Sequence, residues 1–216
     1  MSCRVSKENR DICNFMIISL TGFMGCGKSS VGRRLSELLC CSFMDLDDVI
    51  VERAGRSIPE IFATDGEAVF RQMEHDALQD IIASAGRHSV PEAPSHPIEN
   101  STIVLALGGG AVMQEECERM VHEDTVCIYL KASVETLLSH LEGEAAGRPL
   151  LNNAPVMSSE VPSVMSSEVE TSPLRNRILE LMSLRSATYE RTAHHIIDTD
   201  GKTIEGIASE IIGLFS

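Results

Sequence analysis

The stretch Gly22-Phe23-Met24-Gly25-Cys26-Gly27-Lys28-Ser29 constrains the fold more than any other part of the chain, because its flanks are as specific as its own residues. It fits G-x-x-x-x-G-K-[ST] in full. It follows the apolar run Met16 to Leu20 and leads into Lys28 to Leu39, where Val31, Leu35, Leu38 and Leu39 recur at helical spacing. A strand, a glycine-rich turn and a helix in that order make a phosphate cradle. The glycines let consecutive backbone N–H groups face inward, and the helix directs the positive end of its dipole at the bound anion. Lys28 is expected to reach the β- and γ-phosphates and the Ser29 hydroxyl to ligate Mg2+, with Gly25, Cys26, Gly27 and Ser30 completing the loop. A ligand-free glycine turn would leave the strand and the helix around it unexplained.

Further along, strand-like and helix-like runs alternate. Cys41 to Met44 reads as a second strand ending at Asp45-Leu46-Asp47-Asp48, and helical pattern returns over 47–53, 59–63 and 67–84. In the last of these Phe70, Met73, Ala77, Leu78 and Ile81 share a stripe. Ile103 to Leu107, Val126 to Leu130 and His195 to Ile197 complete the set of strands, and Gly108-Gly109-Gly110 stops the third. Such alternation implies a parallel sheet with right-handed crossovers and ligands at the carboxyl ends of the strands. At 216 residues the chain is long enough for one α/β domain with a substantial core and too short for two.

The formal net charge of −14 argues against nucleic acid or a membrane surface as partner, since either needs a basic face. Each arginine near a motif therefore gains weight. Seven cysteines, an odd number without a C-x-x-C pair, fit neither a disulfide framework nor a zinc site, and point to a reducing, cytoplasmic setting. No apolar run approaches membrane-spanning length, and the N-terminus lacks the order of a signal peptide. With no heptad pattern or exposed apolar stripe, a monomer is expected.

Three segments read as additions to the domain that begins at residue 16. Residues 1–15 are expected to be a loose tail, with Met16 an alternative start. Residues 87–101, with Pro91, Pro94 and Pro97 spaced by three, read as a solvated connector. Within 152–173 the hexapeptide Val156 to Val161 recurs identically as Val164 to Val169, a serine-rich duplication unable to bury much apolar area.

Asp45 and Asp47 follow the second strand, where acidic residues would also suit an ordinary helix N-terminus. Beside a phosphate loop they acquire chemistry: the first can hold Mg2+ through water, and the second can face an acceptor hydroxyl.

Taken with Gly55-Arg56-Ser57-Ile58, Ile61-Phe62, Gly66-Glu67, Phe70-Arg71-Gln72-Met73-Glu74, Leu107 to Val112, Arg148-Pro149-Leu150-Leu151 and Arg185 four residues before Tyr189, the chain resembles the shikimate kinases in order and spacing. The resemblance implies an α/β fold of three layers, a five-stranded parallel sheet in the order 2-3-1-4-5 flanked by helices, with a mobile lid at about residues 141–151. It also implies ATP and shikimate as substrates, with transfer to the 3-hydroxyl in aromatic amino-acid biosynthesis. Arg71 and Arg185 would bind the substrate carboxylate, a planar guanidinium giving paired bonds that lysine cannot copy. Glu74 would orient Arg71, although an i,i+3 pair on a helix surface has the same spacing. Asp47 would take the hydroxyl proton, Asp45 would act on Mg2+ through water, and Gly109 would bring backbone close to substrate. Arg148 would neutralise charge from the lid side, and lid closure would exclude water.

Where the family usually has an arginine that stacks on adenine, this chain offers His140 followed by Leu141. Cys26 sits where a helix terminus and Lys28 would activate a thiol, or where a small side chain is needed as filler. A gluconate kinase would share the phosphate loop without needing Arg71 and Arg185. A nucleotide-dependent binding module would share it too, but the chain lacks N-K-x-D and retains the parts for phosphoryl transfer.

Overall fold

A computed structural model of the chain describes residues 16–85, 102–141 and 172–215. The tail, the proline-rich connector, Arg148 and the repeated hexapeptide lie outside the described residues.

Five strands, β1 (Met16–Thr21), β2 (Ser42–Asp45), β3 (Thr102–Ala106), β4 (Val126–Lys131) and β5 (His195–Asp198), form one sheet in the order β2-β3-β1-β4-β5. Every pairing is parallel, as the alternation of strands and helices requires. β1 is central, with Ile18 against Val104 on one side and Val126 on the other. Both of its faces are covered, so its residues are buried without alternation, and the polar Ser19 among them shares a hydrogen bond with Thr125 at 2.7 Å. The carboxyl end of β1 lies where the connections diverge, the one after β1 running to β2 on one side of the sheet and the one after β3 to β4 on the other, the crevice in which such sheets bind ligands.

Eight α-helices are described: α1 (Lys28–Leu39), α2 (Leu46–Ala54), α3 (Ile58–Thr64), α4 (Gly66–Ala85), α5 (Glu115–Asp124), α6 (Val134–Leu141), α7 (Pro173–Thr192) and α8 (Ile204–Gly213). Local chemistry explains several of their starts. The Asp45 side chain accepts the N–H of Asp47 and caps α2, and Ser57 with Glu60 forms a capping box on α3. Ser172 accepts the N–H of Arg175 and Pro173 takes the first helical position of α7. Ser172 and Pro173, which composition groups with the serine-rich segment 152–173, thus belong to a helix start. Leu141, at the start of the segment read as a lid, is a buried residue of α6.

The core lies on both faces of the sheet. Val31 and Leu35 of α1 cover one region of it, while Leu137 and Leu141 of α6, Ile178 and Tyr189 of α7 and Ile211 of α8 close others. Among the described residues no helix is long and apolar enough to cross a membrane.

Candidate active site

A cleft of about 1040 Å³ opens at the carboxyl ends of the strands. The phosphate loop forms its floor. Gly25 and Gly27 adopt φ of 83° and 94°, left-handed conformations that favour glycine, and Gly27 is the N-cap of α1. The Lys28 ammonium curls over the loop and donates to the carbonyls of Gly22 (2.9 Å) and Phe23 (3.0 Å). Cys26 is 4% exposed, with Nζ of Lys28 3.9 Å from its sulfur, a position that suits a small filler better than an accessible nucleophile.

Two residues assigned to the metal from sequence meet directly. The Ser29 hydroxyl donates to Oδ2 of Asp45 at 2.6 Å, while Oδ1 of the same carboxylate accepts the Asp47 N–H at 3.1 Å. The register of β2 with β3 explains this meeting: Asp45 pairs with Ala106 at the edge that also carries the phosphate loop. A hydroxyl and a carboxylate form the hard oxygen set that suits Mg2+, which takes one or two protein carboxylates and completes its shell with water and phosphate. Among the described residues no cluster of three or more His, Cys, Asp or Glu forms a metal cage, and Mg2+ in a nucleotide site needs none.

The opposite wall is cationic and deeply set. Arg71, with a side chain 15% exposed, is gripped by Glu74 through Nη1 and by Glu67 through Nη2 at 3.0 Å. Glu74 is 1% exposed, so its pairing with Arg71 is a buried contact and not one on a helix surface. Burial pushes the Glu74 carboxyl up to about 7, against the opposing pull of Arg71, and nearby Asp47 adds to the rise. Burial lowers the Arg71 pKa, but the charges of Glu74 and Glu67 outweigh it and hold the group above its ordinary value. Arg185 is 8% exposed, and its charge helps to hold the Glu74 carboxyl down. Its Nη1 donates to the Gly109 carbonyl at 3.4 Å, and the Tyr189 hydroxyl one turn along α7 donates to the same oxygen.

The glycine triplet allows these groups to converge. A Cβ on Gly110 would lie 2.6 Å from both terminal nitrogens of Arg71, and one on Gly108 2.7 Å from Glu74 Oε1 and 2.8 Å from Asp47 Oδ1. Gly109 is confined differently, by the backbone N of Met24 at 3.3 Å. Phe62 and Phe70, with ring centroids 4.8 Å apart, join Ile58 as the apolar side of the same cleft.

Residues from five separate segments thus meet here as the sequence suggests: Lys28, Ser29 and Ser30 from the loop, Asp45 and Asp47 after β2, Arg71 on α4, Gly109 after β3, and Arg185 on α7. Arg148 lies outside the described residues. Sequence reasoning gave no role to Gly108, Gly110, or the Lys202-Thr203-Ile204 turn that lines the cleft beside the loop. The turn follows β5 at the ligand-bearing edge, a placement that could have flagged it.

Comparison with known proteins agrees with this geometry. The family model described as shikimate kinase matches residues 24–90 and 92–215. A shikimate kinase of Salinibacter ruber is 34% identical over 197 residues, covering 91% of this chain and 83% of its own. One from Thermus thermophilus is 35% identical over 195 residues, covering 90% and 87%. The solved structure of shikimate kinase from Acinetobacter baumannii in complex with shikimate superposes with a TM-score of 0.72 at 29% identity, covering 94% of this chain and 93% of that one.

Proposed function

Because the chain belongs to the shikimate kinase family, an ATP-dependent phosphotransferase family with an alcohol acceptor, we propose that it transfers the γ-phosphoryl group of ATP to the 3-hydroxyl of shikimate, giving shikimate 3-phosphate and ADP. The observation that carries this reading is the pair Arg71 and Arg185: two deeply set guanidinium groups line the same cleft as Asp47 and the phosphate loop. A gluconate kinase or a nucleotide-dependent binding module gives no reason to hold such a pair in the acceptor half of the cleft.

In this reading the substrate carboxylate bridges Arg71 and Arg185, the phenylalanine side packs against its ring, and its reacting hydroxyl turns toward Asp47. Asp47 accepts the hydroxyl proton as the new O–P bond forms and the bond from phosphorus to the ADP oxygen breaks. Lys28 moves from its own loop carbonyls to the β- and γ-phosphates, where its charge offsets the charge that develops on transfer. Ser29, and Asp45 through water, would hold Mg2+, which supplies further neutralisation of the phosphates. Arg148 is assigned to the γ-phosphate on its motif alone. The protein is read as a monomer acting in the cytoplasm, from the odd cysteine count without a C-x-x-C pair and the lack of a heptad pattern.

Coupled ADP release with and without shikimate tests the proposal. Release that depends on shikimate, and falls by about 10²–10⁴ in kcat for Asp47→Asn, is the expected result. Turnover with gluconate alone, or nucleotide binding without turnover, would overturn it.

A further inference from the structure

The phosphate loop is held at one peptide from outside the loop. The carbonyl of Gly25 lies 2.8 Å from Nδ1 of His140, the penultimate residue of α6. A carbonyl can only accept, so Nδ1 carries the proton and donates. The N–H of the same Gly25–Cys26 peptide donates to the carbonyl of Phe23 at 3.2 Å. Both polar ends of that peptide plane are therefore occupied. Leu141, fully buried, presses on the same glycine: a Cβ on Gly25 would lie 2.9 Å from its Cγ. The plane immediately precedes Gly27, Lys28 and Ser29, whose N–H groups begin α1 and are the donors a phosphate needs. The His140 ring is itself exposed and lines the cleft, so the bond to Gly25 is not incidental to core packing.

We propose that His140 is a positioning residue for nucleotide binding: through Nδ1–H it fixes the Gly25–Cys26 peptide plane and so pre-sets the donors that follow, without needing to touch the base. The inference rests on the reading of Gly22–Ser29 as a nucleotide phosphate site and adds to it a determinant outside the loop. Preorganised donors bind an anion without the penalty of ordering them first, so losing the pin should weaken any ligand that uses those donors.

Binding of Mg·ADP and of Mg·tripolyphosphate, which has no base, should be measured by calorimetry alongside KM for ATP and for shikimate. His140→Ala should weaken both phosphate ligands by a similar factor of roughly three- to tenfold, the range expected for one hydrogen bond, and raise KM for ATP with KM for shikimate unchanged within about twofold. His140→Asn places an N–H where Nδ1 stood and should restore binding, whereas His140→Gln, whose amide sits nearer the Nε2 position, should restore little. Weakening confined to ADP would mean that the ring acts on the base, and would overturn the proposal. Unchanged binding of both ligands would overturn it as well, as would an asparagine variant as weak as alanine. A wild type that binds neither ligand removes the phosphate-site reading and this inference with it, whereas a wild type that binds both, beside an unaltered alanine variant, removes the inference alone.

Discussion

Glu74 occupies a position on α4 where Phe70, Ala77, Leu78 and Ile81 also turn inward, so its ionisation places a charge in the core. Its carboxyl is raised from an ordinary 4.5 to about 7, with burial as the leading cause. A group whose folded pKa exceeds its unfolded one contributes stability fully below the unfolded value and loses it as pH rises through the folded value. Between pH 4.5 and 8 the wild type should therefore lose on the order of 3 kcal/mol relative to Glu74→Gln, at 1.36 kcal/mol per unit. Urea titrations of both proteins across that range check this, and parallel curves would refute it. Gly110 presents the steric counterpart. A Cβ there would meet the terminal nitrogens of Arg71 at 2.6 Å, the far end of a flexible side chain, so Gly110→Ala should fold but displace the guanidinium. KM for shikimate should rise roughly tenfold or more, as for loss of a charged hydrogen bond, with KM for ATP nearly unchanged. Equal KM values in mutant and wild type would refute the assignment. Of the two residues, only Glu74 was partly legible beforehand. The helical stripe read as Phe70, Met73, Ala77, Leu78 and Ile81 passes through Glu74, and a carboxylate on such a stripe is a signal in itself. The different duties of Gly108, Gly109 and Gly110 were not legible, because they depend on side chains brought from α2, α4 and α7.

Elements whose identity rests on local pattern are found at nearly the residues that the pattern indicates: β1, α1, β2, β3 and β4 agree to within about one residue at each end. Their packing was not legible. α1 crosses the sheet so closely that a Cβ on Gly32 would lie 2.4 Å from Cε2 of Phe43 on β2 and 3.3 Å from Leu20 on β1. The helical pattern does not single out Gly32, since a 3.6-residue period says which face turns inward and not how near the next layer lies. The contact matters for function because α1 begins with Lys28 and Ser29, and lifting it would move both. Gly32→Ala should destabilise by about 1–3 kcal/mol through overpacking, less about 1 kcal/mol regained from helix propensity. Tm should fall by up to about 8 °C, and ATP binding should weaken with it. A rise in Tm would mean that the ring of Phe43 yields without penalty. The turn from Lys202 to Ile204 shows the same limit from another direction: its place in the cleft follows from α8 returning against α1, where Arg34 grips Glu205 through Nε and Nη2, a contact 171 residues apart in sequence.

Over the whole molecule, a formal charge of −14 surrounds a site that must attract two anions. The described lining of the cleft carries Lys28, Arg71, Arg185 and Lys202 against Asp45, Asp47 and Glu74, so local charge is positive by one, and by two when Glu74 holds its proton. Near and far fields therefore oppose each other, and distance decides which of them salt removes. Charges in contact with substrate act across a few ångströms of partly buried space and are screened little. Acidic residues elsewhere on the surface act across distances comparable to the Debye length, which shrinks from about 30 Å at 0.01 M to about 8 Å at 0.15 M ionic strength. Added salt should thus weaken the repulsion more than the attraction. With MgATP saturating, kcat/KM for shikimate should rise about two- to threefold as KCl increases from about 10 to 150 mM, while kcat stays level. The opposite slope, a steep fall in kcat/KM with salt, would mean that the cations of the cleft reach far into solvent and steer the substrate themselves. The prediction separates this chain from an enzyme with a basic mouth, whose association with anions slows as salt is added.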